Sequence, residues 1–259
     1  MKKRIALILA GTMLMSFVLS ACGDDKTASK NDAKKEDTVD TSSDENKKTI
    51  FTVGFDAEYP PYGYMDENGE YTGFDLELAE AVCKLEGWEL VKKPINWDAK
   101  DMELNSGSID CIWNGFTMNG REDEYTFSTP YVDNSQVIVV AEDSGINTLE
   151  DLAGKTVGVQ AASAALELLQ SDEKDGQKAL ADTFGALNEF ADYNTAFTEL
   201  QAGALDALAI DIGVANYQIK SRGEGYKILE KTLNTEQYAI AFKKGDQELR
   251  DVVNADLKK

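Results

Sequence analysis

Nine residues that can bind a small polar molecule follow four predicted strands of this 259-residue chain. The strand signals cover residues 49–55, 108–113, 156–160 and 204–210, which are rich in apolar and β-branched side chains. At or just after their carboxyl ends stand Asp56, Glu58, Tyr59, Asn114, Gly115, Thr117, Gln160, Ser163 and Asp211. Ligands of open α/β sheets bind beyond these ends, so we expect these residues to face a cleft. Carboxylates, amides and hydroxyls in this arrangement predict hydrogen bonding to a polar ligand.

Helical segments alternate with these strands. Residues 74–86 and 164–170 carry the apolar spacing of amphipathic helices, and Gly87 is expected to end the first of them. Strands that alternate with helices predict an α/β protein. About 210 residues of this kind are enough for one large domain or for two lobes.

Two short motifs recur in the same order, which favours two similar lobes. The sequence VGFDA at 53–57 is echoed 104 residues later by VGVQA at 157–161. The pattern Leu-x-x-Gly-x-Ile-Asp at 104–110 is echoed 96 residues later by Leu-x-x-Gly-x-Leu-Asp at 200–206. In both copies the glycine is expected to end a helix before the next strand begins.

The first 21 residues have the pattern of a secretion signal. A basic MKKR start precedes an apolar stretch at 5–18, which is too short for a membrane-spanning helix. The sequence LSAC at 19–22 resembles the cleavage box of bacterial lipoproteins, and that resemblance implies acylation of Cys22, with palmitate among the attached chains. The alternative is an ordinary signal peptide with a chance cysteine. The rest of 22–48 has almost no apolar side chain, so we expect a disordered tether.

The acidic balance of the chain limits its partners. The formal net charge is −21, and removal of residues 1–21 takes away three cations and no acid, which gives −24. Nucleic acids and anionic lipid surfaces are disfavoured because both require clustered Lys and Arg. The chain has no histidine and no CxxC motif, so we expect no metal site and no cofactor. Cys83 and Cys111 are expected to be buried thiols, with a disulfide as the alternative.

Five motifs carry a family resemblance between about residues 50 and 250. They are DAEYPPY at 56–62, GEYTGFDLELA at 69–79, GSID at 107–110, NGFTMNGR at 114–121 and FSTPY at 127–131. In this order they resemble the polar amino-acid binding proteins of ABC importers, solute-binding family 3. The resemblance implies a monomeric two-lobed protein of the type II periplasmic-binding-protein fold, which passes a free amino acid to a membrane permease.

The same resemblance implies how the chain is divided between the lobes. Lobe 1 is expected to comprise residues 49–130 and 239–259, and lobe 2 residues 135–234. Two crossing segments, 131–135 and 234–238, are expected to form the hinge. With the lipid anchor on Cys22, the protein is expected on the outer face of the cell membrane.

A zwitterionic ligand needs a cation and an anion to replace the water around its two charged ends. Arg121 offers a planar fork for the carboxylate, and the family places an arginine in this role. The step from Thr117 to Arg121 is one residue shorter than the family usually has, and the alternative is a surface arginine beside acids. Ser163 is expected to help bind the carboxylate or simply to cap a helix.

Asp211 is the expected partner of the ligand's ammonium, together with the Gly115 carbonyl and the Thr117 hydroxyl. A buried carboxylate without a partner is costly, so an aspartate on a cleft wall favours a cation. The alternative is that Asp211 only caps the helix that follows it.

Aromatic and polar residues are expected to enclose the ligand's side chain. Tyr59 and Trp97 coincide with the family's stacking positions, and Tyr62 and Phe116 are further candidates. The polar side chains expected to face the ligand's side chain are Asp56, Glu58, Asn114 and Gln160. Their polarity favours a polar or cationic amino acid.

Two other functions are compatible with this scaffold. One is an enzyme such as a dehydratase of small carboxylic acids, in which Asp56, Glu58 or Asp211 would act as acid or base. No histidine and no paired nucleophile support it. The other is a ligand-sensing module of a receptor, although no signalling domain is fused to this chain. We therefore expect a binding protein that is not an enzyme.

Overall fold

The computed structural model describes residues 48–223 and 225–259. The predicted signal peptide, Cys22 and all of the tether except residue 48 lie outside the described residues. In chain order the strands are β1 (Ile50–Phe55), β2 (Glu58–Tyr59), β3 (Gly63–Met65), β4 (Tyr71–Thr72), β5 (Glu89–Pro94), β6 (Cys111–Ile112), β7 (Thr126–Phe127), β8 (Val132–Ala141), β9 (Thr156–Gln160), β10 (Ala186–Phe190), β11 (Ala207–Asp211), β12 (Tyr226–Ile228), β13 (Asn234–Tyr238) and β14 (Ala241–Phe242). The α-helices are α1 (Phe74–Glu86), α2 (Lys100–Ser106), α3 (Ala164–Gln170), α4 (Lys178–Ala181), α5 (Tyr193–Gln201), α6 (Ile212–Arg222) and α7 (Gln247–Asp256).

Two helix-flanked sheets define two lobes, as the α/β pattern predicts. The first lobe has the strand order β5-β1-β6-β14-β7, with α1, α2 and α7 and the small sheet β2-β3-β4. The second lobe has the order β10-β9-β11-β8-β12, with β13 paired to β8 and with helices α3 to α6. In each lobe the second strand of this order, β1 or β9, pairs in parallel with both of its neighbours.

The chain passes between the lobes along two antiparallel strands. All of β13 pairs with the first half of β8, with Asn234 opposite Gln136 and Tyr238 opposite Val132. β8 continues into the second sheet, and the residues after β13 enter the first sheet as β14. The segments expected to form the hinge, 131–135 and 234–238, lie on this strand pair.

The internal repeat has the same hydrogen bonds in both lobes. The Thr52 N–H donates to Asp110 Oδ2 at 2.7 Å, and the Thr156 N–H donates to Asp206 Oδ2 at 2.8 Å. In return the Asp110 N–H donates to the Thr52 carbonyl at 2.8 Å, and the Asp206 N–H to that of Thr156 at 2.9 Å. Asp110 therefore fixes the start of β6 beside β1, and Asp206 fixes the start of β11 beside β9.

Two predicted strands begin later than expected. Residues 108–110 and 204–206 are not in β6 or β11, which start at Cys111 and Ala207. The N–H groups of Ser108 and Ala204 instead donate to carbonyls of the preceding helix, at 3.0 and 2.9 Å. Helix closure takes these donors, so they cannot join the sheet ladder.

The interior of each lobe is apolar, and the two cysteines of the described residues lie in the interior of the first lobe. Cys83 and Cys111 are buried in the first lobe and are free thiols, which agrees with the favoured expectation. The predicted disulfide alternative is therefore not adopted. Within the described residues, no helix is long and apolar enough to cross a membrane.

Candidate functional site

The predicted site residues lie where the two lobes face each other. Asp56, Tyr59, Asn114, Gly115, Thr117 and Arg121 come from the first lobe, with Trp97 on a 3₁₀ turn (Trp97–Ala99), whereas Gln160, Ser163 and Asp211 come from the second. Most of these side chains are buried, but Glu58 is exposed and Trp97 is half-buried. The binding roles assigned to these residues stay predictions.

Asp56 and Gln160 meet across the cleft. Gln160 Nε2 donates to Asp56 Oδ2 at 2.7 Å and to the Ala191 carbonyl at 3.1 Å. The other Asp56 oxygen accepts the Glu58 N–H at 2.8 Å. The pKa of Asp56 is raised to about 6, chiefly by burial; the hydrogen bonds from Glu58 and Gln160 oppose the shift, and the nearby charges of Asp192 and Glu58 add to it. A cation in this place would restore the ionised form.

An acidic cavity of about 820 Å³ opens beside this pair. Its wall combines residues of both lobes, including Trp97 and Phe190. Its acidic lining residues are Asp56, Glu58, Asp98, Glu103, Glu189 and Asp192, and its lining includes no Lys or Arg among the residues that the structure describes. Glu58 also accepts a hydrogen bond from Asn194 of the second lobe. The electrostatic character of this cavity suits a positively charged group.

Arg121 binds a carboxylate from the opposite lobe. Its Nε donates to Glu167 Oε2 at 3.0 Å, and Nη2 lies 2.8 Å from Glu167 Oε1. Nη1 donates to the Thr117 carbonyl at 3.3 Å, and the guanidinium lies over the Phe116 ring at 4.7 Å. Arg121 is therefore buried at the cleft, and the alternative of a surface arginine is wrong.

A tight turn accommodates the short step from Thr117 to Arg121. The Arg121 N–H donates to the Met118 carbonyl at 3.0 Å, and Gly120 has a φ of 81°. A positive φ at the third position of a turn favours glycine. The turn directs the guanidinium toward α3 of the second lobe, where Glu167 lies.

Ser163 is the N-cap of α3. Its Oγ accepts the Leu166 N–H at 3.1 Å and donates to the Gln160 carbonyl at 2.7 Å. The preceding Ala162 has a φ of 54°, a left-handed conformation that is unfavourable for a residue with a Cβ. The capping role is thus observed, and a contact between Ser163 and a ligand carboxylate stays a prediction.

Asp211 lies at the base of the cleft in a buried polar network. Its Oδ1 accepts hydrogen bonds from Asn134 Nδ2 at 2.8 Å, Gln136 Nε2 at 2.6 Å and the Tyr238 hydroxyl at 2.6 Å. Asp211 stands at the N-cap position of α6, but its side chain makes no capping hydrogen bond. The alternative of a plain helix cap is therefore wrong. Burial raises its pKa to about 6, with the charge of Glu236 as the second cause.

Gly115 and Thr117 belong to a segment that the second crossing strand holds in place. The Ala239 N–H donates to the Phe116 carbonyl at 3.0 Å, and the Thr117 hydroxyl donates to Glu236 Oε1 at 2.7 Å. The Gly115 N–H donates to the buried Asp75 Oδ2 at 2.5 Å. With a φ of 56° and the rings of Tyr59 and Tyr238 close by, position 115 has no room for a Cβ.

Aromatic rings of both lobes pack at the cleft. Tyr59 lies 5.9 Å from Tyr62 and 6.0 Å from Tyr193 between ring centroids, and its hydroxyl is 3.5 Å from that of Tyr238. Trp97 meets Phe116 edge-on at 5.7 Å. The further candidates Tyr62 and Phe116 thus stand beside the main ones. Such rings offer both apolar faces and, in tyrosine, hydroxyl groups to a ligand.

Asn114 is fully buried, and neither its Nδ2 nor its Oδ1 has a hydrogen-bond partner among the described residues. A buried amide without partners is costly, so a ligand or water at this position would be stabilised. This agrees with the expectation that Asn114 faces a ligand, which stays a prediction.

Sequence reasoning missed several polar residues of the site. Glu167 lies inside α3, so a search of the strand ends could not identify it. Asn134 on β8 and Glu236 on β13 belong to segments that were considered only as hinge, and Gln136 on β8 was assigned to lobe 2 without a role. Polar residues two apart on a strand share one face, and this signal could have identified the pair on β8.

The chain is similar to amino-acid binding proteins of known structure or assigned function. The family model "Bacterial extracellular solute-binding proteins, family 3" matches residues 51–259. The arginine-binding extracellular protein ArtP of Bacillus subtilis is 31% identical over 262 residues, covering 100% of this chain and 92% of ArtP. The L-cystine-binding protein TcyA of the same organism is 32% identical, with 97% and 90% covered.

The fold comparison agrees with the sequence comparison. A substrate-binding protein of an ABC uptake transporter from Streptococcus pneumoniae, solved with bound histidine, has a TM-score of 0.75 and 34% identity, with 81% of this chain and 85% of that chain covered. An ancestral arginine-binding protein bound to arginine has a TM-score of 0.73 and 37% identity, with 82% and 92% covered. The sequence of this chain, its two-lobed fold and these similarities together show that the chain belongs to family 3 of the bacterial extracellular solute-binding proteins.

Proposed function

We propose that this protein captures a free amino acid with a cationic side chain between its lobes and delivers it to the permease of an ABC importer. The observation that carries the proposal is the distribution of charge in the cleft. Arg121 supplies a buried cation, Asp211 a buried carboxylate, and an acidic cavity lies beside Asp56. A basic amino acid has the complementary set of groups, namely one anionic and two cationic ones.

The carboxylate of the ligand is proposed to bind Arg121. In the ligand-free protein this guanidinium already binds a carboxylate through two nitrogen atoms, that of Glu167. The ligand's carboxylate would replace Glu167, whose side chain is half exposed and can return to water at little cost. Ser163 and the first turn of α3 stand next to the site and would assist.

The α-ammonium is proposed to bind Asp211, with the Thr117 hydroxyl and the Gly115 carbonyl as further partners. Burial is unfavourable for the charged form of Asp211. A cation bound beside it would offset this cost and stabilise the ionised carboxylate. The ligand's side chain would then extend past Tyr59 and Trp97 into the acidic cavity, which Asp56 and Glu58 line and where Gln160 bonds Asp56. Asn114 would find in the ligand the hydrogen-bond partner it lacks.

Closure of the two lobes is proposed to be the functional event. A ligand that bonds both lobes stabilises the closed state by its higher affinity for that state. Arg121 lies on the first lobe and Asp211 on the second, so one zwitterion bound to both would join the lobes. The closed form would present a surface that the permease recognises.

The protein is proposed to be held at the outer face of the cell membrane by lipid on Cys22, with the rest of residues 22–48 as its tether. Support comes from the sequence of the signal and from the extracellular family to which the chain belongs. A Cys22→Ala variant should then appear in the soluble fraction outside the cell. Retention of this variant in the membrane would contradict the anchor.

We also infer that the protein acts as a monomer without cofactor and catalyses no reaction. The family consists of solute-binding proteins. Incubation with arginine should return arginine unchanged, and a new product in the chromatogram would overturn this inference.

Thermal-shift screening against the twenty amino acids, ornithine, citrulline and cystine tests the proposed function. Ligands that bind only the folded protein raise its melting temperature by mass action. Arginine, lysine or ornithine should give the largest shift, and citrulline, which has arginine's length without its charge, a small one. A largest shift with a neutral or acidic amino acid would overturn the cationic class, and no shift with any would overturn amino-acid binding.

A further inference from the structure

Two buried carboxylates share the same hydrogen-bond donors at the crossing of the hinge strands. Asn134 Nδ2 lies 2.8 Å from both Asp211 Oδ1 and Glu236 Oε1. Gln136 Nε2 lies 2.6 Å from the first oxygen and 2.8 Å from the second. Each amide group has two N–H bonds, so one can point to each carboxylate. Asp211 and Glu236 therefore act as one pair bridged by two amides of β8.

The remaining neighbours of this pair add donors but no cation. The Tyr238 hydroxyl donates to Asp211, and the Thr117 hydroxyl donates to Glu236. Because the amide nitrogens face the carboxylates, the carbonyl oxygens of Asn134 and Gln136 are left buried, without partners among the described residues. Two adjacent buried carboxylates without a cation are unfavourable when both are charged.

We infer that Glu236 is a second carboxylate of the ammonium site: with Asp211 it shares one proton in the ligand-free protein, and the ligand's ammonium replaces that proton. This inference rests on the proposed function. Glu236 would then be a ligand-binding residue of the hinge. The sequence predicted only Asp211 as a carboxylate partner of the ammonium. Since the amides come from β8 and the two acids from β11 and β13, the bound ammonium would also tie the hinge to the second lobe.

Other ionisable groups face the pair, and they do not supply the missing charge. The phenols around Asp211 are Tyr59, Tyr62, Tyr193 and Tyr238. Burial raises the pKa of each of them, so they stay neutral near pH 6. Arg121 reaches the carbonyl of Thr117 but pairs with Glu167. Asn234 on β13 donates to Glu236 Oε2 at 3.2 Å.

A displaced proton has a route to water. A cavity of about 680 Å³ lies at the hinge, and Asn134, Ile212 and Glu236 are among its lining residues. Burial raises the pKa of Asp211, and the charge of Glu236 adds to this shift, which agrees with a proton held at this place. Two interacting carboxyls titrate as a pair, so the proton belongs to both.

Isothermal titration calorimetry with arginine tests the inference. Titrations at pH 5.5 in buffers of different ionisation enthalpy count the protons released on binding. The wild type should release more protons on binding than Glu236→Gln, because loss of the Glu236 charge lowers the pKa of Asp211 and leaves fewer protons to displace. Glu236→Gln should also bind arginine about tenfold or more weakly, since it loses a charged hydrogen-bond acceptor.

The Asp133→Asn variant is the matched control. Asp133 lies on β8 next to Asn134, but it is exposed and accepts from Gln237. This variant should keep both the affinity and the proton count of the wild type. Because Asp56 is present in all three proteins, any proton it releases cancels in the comparison.

The outcomes separate this inference from the proposed function. Equal affinity and equal proton release in wild type and Glu236→Gln would overturn the role of Glu236 while amino-acid binding stands. Absence of any proton release by the wild type at pH 5.5 would also overturn it, and this measurement needs no variant to fold. No binding of any amino acid by the wild type would instead overturn the proposed function.

Discussion

Asp56 Oδ2 accepts a hydrogen bond from Gln160 Nε2 at 2.7 Å, and the two residues occupy the same place in the two copies of the internal repeat. Asp56 follows β1 and Gln160 ends β9, and both residues are buried. The repeat therefore places its fourth residue at the cleft twice, once as an acid and once as an amide. Because these groups already bond to each other, a ligand has to compete with a lobe-to-lobe contact.

The Asp56→Asn variant should lose discrimination between charged and neutral side chains. A hydrogen bond to a charged group is worth about 1.5–3 kcal/mol, so arginine affinity should fall by roughly 10- to 100-fold. Citrulline, which is neutral, should lose less. Calorimetry with both ligands measures the ratio of the two affinities. An unchanged ratio would show that Asp56 does not face the ligand's side chain.

Arg121→Ala and Glu167→Gln should have opposite effects on binding. Loss of a buried partner of a charge pair costs about 2–5 kcal/mol, so Arg121→Ala should weaken arginine binding by more than about 30-fold. Glu167→Gln removes a half-exposed competitor worth at most about 1 kcal/mol, so affinity should rise by no more than about fivefold.

Fluorescence or calorimetric titration of both variants checks this prediction, with Glu173→Gln as an exposed control on the same lobe. Weaker binding by Glu167→Gln would mean that Glu167 holds Arg121 in position and does not compete with the ligand.

Asp75 should make the ligand-free protein less stable as the pH rises. Burial raises its pKa from 3.8 to about 7. Between these values the folded state binds a proton that the unfolded state does not, so this group's contribution to stability falls with rising pH, by at most about 1.4 kcal/mol per pH unit. Asp75→Asn removes this contribution but keeps an oxygen for the Gly115 N–H.

Urea unfolding at pH 5 and pH 8 measures the effect. The free energy of unfolding is compared between pH 5 and pH 8. This difference in Asp75→Asn should depart from that of the wild type, whereas Glu77→Gln, an exposed change in the same helix, should keep the wild-type difference. An identical pH dependence in all three proteins would contradict the assignment of the raised pKa.

Gly54→Ala and Gly158→Ala should destabilise the two lobes in the same way. A Cβ at position 54 would overlap Ile109, and one at 158 would overlap Leu205. Overpacking of this kind costs about 1–3 kcal/mol, which urea unfolding can measure. Ile109→Val removes the nearest atom, so the double variant with Gly54→Ala should be more stable than the sum of both single changes predicts. Strict additivity would contradict the proposed overlap.

Local sequence was sufficient to predict the units of the fold. Helices α1 and α3 and strand β9 have the predicted bounds, because apolar periodicity and a capping glycine or serine act over a few residues. The repeat predicted two similar lobes, and the shared Asp110 and Asp206 hydrogen bonds give the physical reason for its spacing. The strands β6 and β11 were predicted too long, because helix closure competed for their first N–H groups.

The sequence by itself determined which residues stand at strand ends, and so it placed Asp56, Gln160 and Asp211 at the cleft, whereas Arg121 followed from the family resemblance and the chemistry of its guanidinium. Only the tertiary structure decided what faces them. Glu167 reaches Arg121 from the other lobe, and Glu236 joins Asp211 through amides of a hinge strand. The hydrogen bonds that make these contacts join residues 46 to 102 positions apart in the chain, where no local periodicity applies. They form because packing of the two lobes brings together buried charges that need partners.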